Sequence, residues 1–226
     1  KWIGGHGVAV GGVVIDGGNF DWLKSGRFPT LTQPYEPFHG MNFWEEFGPA
    51  ALAMRIRCES MRDIGAAMTP HNAFLLLQGL ETLNLRMQQH VSNAQAMVTW
   101  LQTQDAVAWV NHPDINAEAH TKALFPKGAG SMLTFGVKGG RDAGAAFINA
   151  LQLSSNLANV GDSRTLVLHP GSTTHSRLSE NDLIAAGIGA DLIRVSVGIE
   201  TLKDIQADFS LGLRAAAKIL AQQAEA

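Results

Sequence analysis

Lys1-Trp2-Ile3-Gly4-Gly5-His6-Gly7, running on through Val8 and Ala9 into Val10-Gly11-Gly12-Val13-Val14-Ile15-Asp16, sets a lysine against a glycine-rich turn and then an apolar run. Glycines admit backbone conformations and close approaches that a Cβ would block. The run Val10–Asp16 reads as a short strand closed by the turn signal Asp16-Gly17-Gly18. A lysine by itself is ordinarily solvated, and glycine-rich turns are common. The weight of Lys1 therefore rests on what the rest of the chain places around it.

Working outward, Asn19 to Phe47 has few periodic apolar positions, and Pro29, Pro34 and Pro37 break regular elements there. A loop of that length in a compact domain is usually functional or interfacial. Helix is expected from near Gly48, with Pro49 in its first turn and Leu52, Ile56 and Met61 to one side between Ala50 and Met68. A second, long helix is expected from about Pro70 toward Gln102. Phe74, Leu77, Leu80, Leu85, Met87, Val91 and Met97 are its apolar face, and its length implies a bend or a spine joining two domains. Beyond it, strands at Val107–Val110, Ser131–Val137, Leu157–Val160, Thr165–Leu168 and Leu192–Val197 alternate with helices. Those helices are Ala117–Leu124, Asp142–Leu151, a short one capped by Ser179, and Leu202–Gln222. This is an α/β layer, a small sheet with helices on one face.

The bulk numbers exclude several classes. Of 226 residues, 46% are apolar, enough for a substantial core, while only 16% are charged, which suggests surface covered by a partner. The net charge of −3 with scattered basic residues asks for neither nucleic acid nor an anionic membrane. No run is long enough to span a bilayer, and no signal-peptide pattern opens the chain. Cys58 is the single cysteine, so no internal disulfide forms, and a reducing, cytoplasmic setting is expected. Arg55 and Arg57 beside Cys58 would favour its thiolate, although a packed helix position is the ordinary role of a free cysteine. No metal site is expected. The absence of a Met at the first position and the immediate entry on a turn lead us to expect a fragment of a longer protein.

Two further stretches carry candidate chemistry. In Leu192-Ile193-Arg194-Val195-Ser196-Val197, alternation puts Ile193, Val195 and Val197 on one face and Arg194 on the other. An arginine in so apolar a strand needs an anion. That anion is either an internal carboxylate, Glu200 or Asp191, or the carboxylate of a ligand, which a guanidinium fork suits. Asn159-Val160-Gly161-Asp162-Ser163-Arg164-Thr165, continuing to His169-Pro170-Gly171-Ser172-Thr173-Thr174-His175-Ser176, is dense in hydroxyl, amide and imidazole groups between apolar strands. His6 reads as a turn residue satisfied by backbone. Phe43 and Trp44 belong to an aromatic cluster that serves either packing or an interface.

Taken over its full length, Lys1–Gly7 with Gly11-Gly12-Val13-Val14-Ile15-Asp16-Gly17-Gly18-Asn19-Phe20-Asp21-Trp22 resembles the pyridoxal-phosphate (PLP) enzymes of Cys and Met metabolism, specifically their O-acetylhomoserine sulfhydrylase branch. The resemblance covers essentially the whole chain but only the second half of such an enzyme. It implies PLP-dependent transferase fold type I (aspartate-aminotransferase-like). Residues 1–70 would end the large cofactor domain and 71–226 would form the small C-terminal α/β domain. It implies Lys1 as the Schiff-base and catalytic lysine, with Arg194 and Asn159 on the substrate carboxylate, and Thr174 and His175 shaping their loop. It implies pyridoxal 5′-phosphate as cofactor, an amino-acid substrate and a thiol or sulfide as reactants, and a homotetramer of two catalytic dimers. The family's phosphate-binding and ring-stacking residues would precede Lys1. Many γ-lyases and synthases of the family carry Ser-Leu-Gly where this chain has Asn159-Val160-Gly161, a form that looks like the sulfhydrylases, so the γ-lyase reading ranks second. A non-catalytic assembly module is the third reading.

Overall fold

The computed structural model describes residues 1–115 and 117–225, which form two compact units. One comprises Lys1–Ala9 together with the chain from Leu75 onward; the other is Val10–Phe74.

The larger unit is built on five strands, β1 (Val107–Asn111), β2 (Met132–Val137), β3 (Ser155–Asn156), β4 (Leu166–Leu168) and β5 (Leu192–Ser196), in the order β1-β2-β5-β4-β3. All pairs are antiparallel except β3 with β4. Strand alternation sends Leu133, Phe135, Ile193 and Val195 to one face. Three helices cover that face: Leu83–Leu101, Gly140–Ala150 and Leu202–Glu225. Phe135, Phe147 and Phe209 meet at its centre with ring centroids 5.4–6.2 Å apart, in the edge-on and tilted geometry that aromatic quadrupoles favour. The opposite face holds the polar members of the same strands. There Arg194 sits across from Thr134 of β2 and Leu168 of β4.

The loop entering β3 is tied to this core by one carboxylate. Asp208, buried on the last long helix, accepts from the backbone N–H groups of Gln152 (2.6 Å), Leu153 (3.0 Å) and Ser154 (2.9 Å). Burial pushes its carboxyl up, but these N–H groups outweigh that and hold it below the usual carboxylate range. The folded carboxyl thus titrates below its unfolded value of about 3.9. Its stabilising contribution is fully present above that value and is lost as the pH falls through the lower, folded one. Asp208→Ala is expected to cost about 3 kcal/mol, because it leaves buried donors unpaired. Chemical denaturation at neutral pH measures this, and the difference from the parent protein should shrink in strong acid.

Three expectations are corrected here. Leu157–Val160 is not a strand: the Leu157 N–H still donates to the Val167 carbonyl (3.2 Å), but the Asn159 N–H then turns back onto the Leu157 carbonyl (2.9 Å), which ends the pairing. The long helix is two, Pro70–Glu81 and Leu83–Leu101, separated at Thr82. The apolar face expected of it is largely exposed, with Phe74 at 57%, Leu77 at 58% and Leu85 at 67%. Of that face Met97 is buried as expected, and the second helix buries with it Arg86, His90, Asn93, Ala94, Val98 and Leu101. Its first turns face backbone carbonyls that need donors, so polar residues go inward there.

In the smaller unit, Val10–Asp16 is not a strand either. Val10 and Ile15 are each 86% exposed, and among the described residues no strand lies alongside to take the N–H and C=O groups of the run. The prolines start helical turns there: Pro29 opens Pro29–Thr32, and Pro37 and Pro49 stand early in Glu36–Phe38 and Gly48–Ala50. The chain is helical from Ala51 to Ile64, with a π-turn at Ile56–Met61, and stops at Gly65 with φ 73°. Phe43 is fully buried, and the Arg55 guanidinium lies 3.8 Å from the Tyr35 ring centre and 5.1 Å from that of Phe43. Phe43 therefore packs the interior of this unit, and Cys58 is half-buried on the π-turn.

Candidate active site around Lys1 and Arg194

The lysine turn closes on itself through Gly5 N–H donating to the Lys1 carbonyl at 2.9 Å. Gly5 has φ 70°, a left-handed conformation that glycine adopts at no steric cost. His6 Nδ1 lies 2.7 Å from the Gly4 carbonyl, so its ring is engaged with the turn. Lys1 itself is exposed, and among the described residues its Nζ has no hydrogen-bond or ion-pair partner.

The polar loop after β3 meets this turn directly. Gly161 has φ 78°, and a Cβ there would lie 3.0 Å from the Trp2 ring and 3.2 Å from Lys1 Cβ. The next contacts run in series: Ser163 N–H donates to the Gly5 carbonyl (2.8 Å), and Ile199 N–H donates to the Ser163 carbonyl (2.8 Å). Gly161 N–H donates to Ser196 Oγ at 3.0 Å. The loop is thus a backbone bridge between the lysine turn and the end of β5.

Arg194, two residues before Ser196, is half-buried and donates to the Asn159 carbonyl at 3.3 Å. Among the described residues no carboxylate lies within ion-pairing distance of it. The two internal partners that the sequence offers are committed elsewhere. Asp191 accepts from Trp109 Nε1 at 2.7 Å, and Glu200 accepts from Thr165 N–H (2.6 Å) and Oγ1 (2.8 Å). The internal salt bridge weighed above is therefore absent, and most donors of the guanidinium are uncommitted. Arg194 also borders a pocket with Asn111, His112, Met132 and Thr134.

Asn159 uses its carbonyl for Arg194, its backbone N–H for Leu157 and its side-chain Oδ1 for Val160 N–H (3.0 Å). Its side-chain NH2 is the donor left over. Thr174 and His175 bond to each other at 2.9 Å in the turn after Pro170–Ser172. No recorded hydrogen bond links either of them to Lys1 or Arg194.

Sequence reasoning missed the supports beneath this arrangement. Arg86, only 5% exposed, donates to the carbonyls of Trp2 (2.9 Å), Ile3 (3.0 Å) and Gly79 (2.6 Å). Burial lowers its pKa. His90, fully buried, holds the Val197 carbonyl at 2.7 Å through Nδ1, so Nδ1 carries the proton, and meets Trp2 edge-on at 5.1 Å. Burial lowers its pKa, against the opposing effect of the Val197 bond, so the ring is neutral. Asn93 Nδ2 donates to the Gly198 (3.0 Å) and Glu200 (2.9 Å) carbonyls. The legible signal was phase: Arg86, His90 and Asn93 fall at helical spacing in line with Met97 and Leu101.

Within one unit the Asn159–Ser163 loop thus links the turn that carries Lys1 to the strand that carries Arg194, and among the described residues the lysine amine has no partner and the guanidinium no anion. Among the described residues no three His, Cys, Asp or Glu side chains gather to hold a metal, and no helix is long and apolar enough to cross a membrane.

Comparison with known proteins matches residues 1–214 to the family described as Cys/Met metabolism PLP-dependent enzyme. The chain is 48% identical to the homocysteine synthase of Schizosaccharomyces pombe, over 96% of this chain and 51% of that protein. It is 44% identical to O-acetyl-L-homoserine sulfhydrylase 1 of Thermus thermophilus, over 94% of this chain and 51% of that protein. Among solved structures it is similar to a putative O-acetylhomoserine (thiol)-lyase from Campylobacter jejuni that carries a pyridoxyl-lysine monophosphate. The TM-score is 0.82 at 35% identity, covering 95% of this chain and 52% of that one. Cystathionine gamma-lyase from Lactobacillus plantarum, complexed with L-serine, gives a TM-score of 0.65 at 29% identity, over 74% and 44% of the two chains. The chain spans about half the length of the curated relatives it matches.

Proposed function

This chain belongs to the Cys/Met metabolism PLP-dependent enzymes, fold type I, and we propose that it supplies the catalytic lysine and the substrate-carboxylate fork of an O-acetylhomoserine sulfhydrylase. The reaction is γ-replacement: O-acetyl-L-homoserine and sulfide, or methanethiol, give homocysteine, or methionine, and acetate. In this reading residues 1–70 close the large cofactor domain, residues 71–226 form the small domain, and the enzyme works in the cytoplasm as a homotetramer. The observation that carries the proposal is the half-buried Arg194 without a carboxylate, joined through the Asn159–Ser163 loop to the turn that presents Lys1.

The residues present fit a lysine-anchored cofactor. Lys1 Nζ has no partner among the described residues, and Gly161 lets the polar loop pass close to Lys1 and Trp2, where a Cβ would crowd both. Pyridoxal phosphate, when bound, supplies the electron sink that stabilises negative charge at the substrate Cα. The Lys1 amine would hold that group, and its Nζ, when free, would take the substrate α-proton. Arg194 grips the substrate carboxylate through its planar fork, with the Asn159 side-chain NH2 as a second donor. Holding the carboxylate fixes the direction of the Cα–H bond relative to Nζ, and such alignment governs the rate of proton removal.

The test is product analysis on the full-length enzyme. With O-acetyl-L-homoserine and sulfide, homocysteine and acetate are expected in equal amounts. Ammonia and a 2-oxo acid appearing at the same rate without any thiol would instead identify a γ-lyase.

A further inference from the structure

We propose that Arg86, with Gly79 beneath it, is the positioning device that sets where Lys1 stands relative to Arg194; the inference rests on the functional reading above. Arg86 makes no ion pair among the described residues. Its whole buried fork is spent on main-chain carbonyls: Trp2 and Ile3 of the lysine turn, and Gly79 near the end of the preceding helix. Its Nε also reaches Thr82 Oγ1 at 3.3 Å, where the two helices part. A buried cation that meets only carbonyls contributes less to stability than an ion pair would, because its desolvation is not offset by an opposite charge. What it contributes is geometry, since a guanidinium joins several acceptors in one plane and an ammonium does not.

Two glycines make this close approach possible. A Cβ at Gly5 would overlap the Arg86 guanidinium. A Cβ at Gly79 would overlap the Ile3 and Gly4 carbonyls, so the lysine turn lies directly on the helix backbone. Further along the same helix face, His90 touches Trp2 with its ring and holds the Val197 carbonyl with Nδ1, and Asn93 holds Gly198 and Glu200. One rigid helix therefore grips the lysine turn at its start and the exit of the Arg194 strand one to two turns later. The separation of amine and guanidinium is set by the spacing of residues 86, 90 and 93 along that helix.

Arg86→Lys retains the charge but loses the fork. Gly79→Ala leaves Arg86 untouched, favours the helix, and displaces the lysine turn. Both are made in the full-length enzyme. With O-acetyl-L-homoserine, kcat is expected to fall roughly 100-fold, the scale of a displacement of about 1 Å, while KM stays near that of the parent because Arg194 is intact. A second readout is independent of turnover: borohydride reduction with added pyridoxal phosphate, followed by mass analysis of the Lys1 peptide, gives the rate at which Lys1 links to the cofactor. That rate should fall in both variants. Cooperative unfolding identifies a folded variant, and if Arg86→Lys does not fold, Gly79→Ala carries the comparison. Folded variants that link Lys1 at the parent rate, or that change KM and leave kcat alone, overturn the proposal. A parent enzyme that links no cofactor at Lys1 overturns the functional reading, and this inference with it.

Discussion

Lys1→Ala is expected to abolish both turnover and the visible absorbance of the lysine-linked cofactor in the full-length enzyme. On the proposed reading two losses combine. The amine that anchors the cofactor is gone, so the protein holds it by non-covalent contacts alone. The base for the α-proton is gone as well, and a positioned proton-transfer group is typically worth on the order of 10²–10⁴-fold in rate. Stability should hardly change, because Lys1 is exposed and its Nζ has no partner among the described residues. This separates a chemical role from a structural one. A variant that turns over at a tenth of the parent rate or better would remove Lys1 from the chemistry. Absorbance spectra, kinetics and thermal unfolding of the same preparation decide it.

The second large effect is at Arg194. Hydrogen bonds to a charged group contribute about 1.5–3 kcal/mol, and each 1.4 kcal/mol is about tenfold in affinity. Arg194→Ala is therefore expected to raise KM for O-acetyl-L-homoserine roughly 10- to 100-fold, with a smaller fall in kcat from the loosened carboxylate. Arg194→Lys should recover part of the affinity, since charge returns without the fork. Stability moves the other way from an ordinary core substitution. The guanidinium is half-buried and has no anion among the described residues, so its removal is expected to relieve a desolvation cost. The melting temperature should hold or rise. An unchanged KM would take Arg194 out of the site, and a large stability loss would mean that it serves the fold instead.

Much of the fold was legible because it follows from period and punctuation. The strands Val107–Asn111, Met132–Val137 and Leu192–Ser196 and the helices Gly140–Ala150 and Leu202–Glu225 fall close to where alternation and helical spacing place them. Ser179 accepts from Asp182 N–H at 3.2 Å at the head of its short helix, as the capping pattern implies. The failures share one cause. Val10–Asp16 has strand composition but no neighbouring strand among the described residues, and a strand exists only through its neighbours. In the first turns after Thr82 the expected buried face was wrong because the inner surface there is polar, and hydrophobic period cannot detect a face that buries Arg86, His90 and Asn93.

The primary structure by itself determined which chemical groups this protein carries and the local elements that hold them: the lysine with its glycine turn, the arginine in an apolar strand, and the polar loop between. These follow from side-chain identity and from bonding within a few residues. Only the tertiary structure decided that neither Asp191 nor Glu200 pairs with Arg194, because they find Trp109 and Thr165, partners 82 and 35 residues away. It alone placed the Asn159–Ser163 loop against Lys1, and Arg86 under Trp2 and Ile3 across 84 and 83 residues of chain. The physical reason is that a buried charge or carbonyl is satisfied by whatever folding brings within hydrogen-bond reach, and that proximity depends on how the helices pack on the sheet, not on the order of residues along the chain.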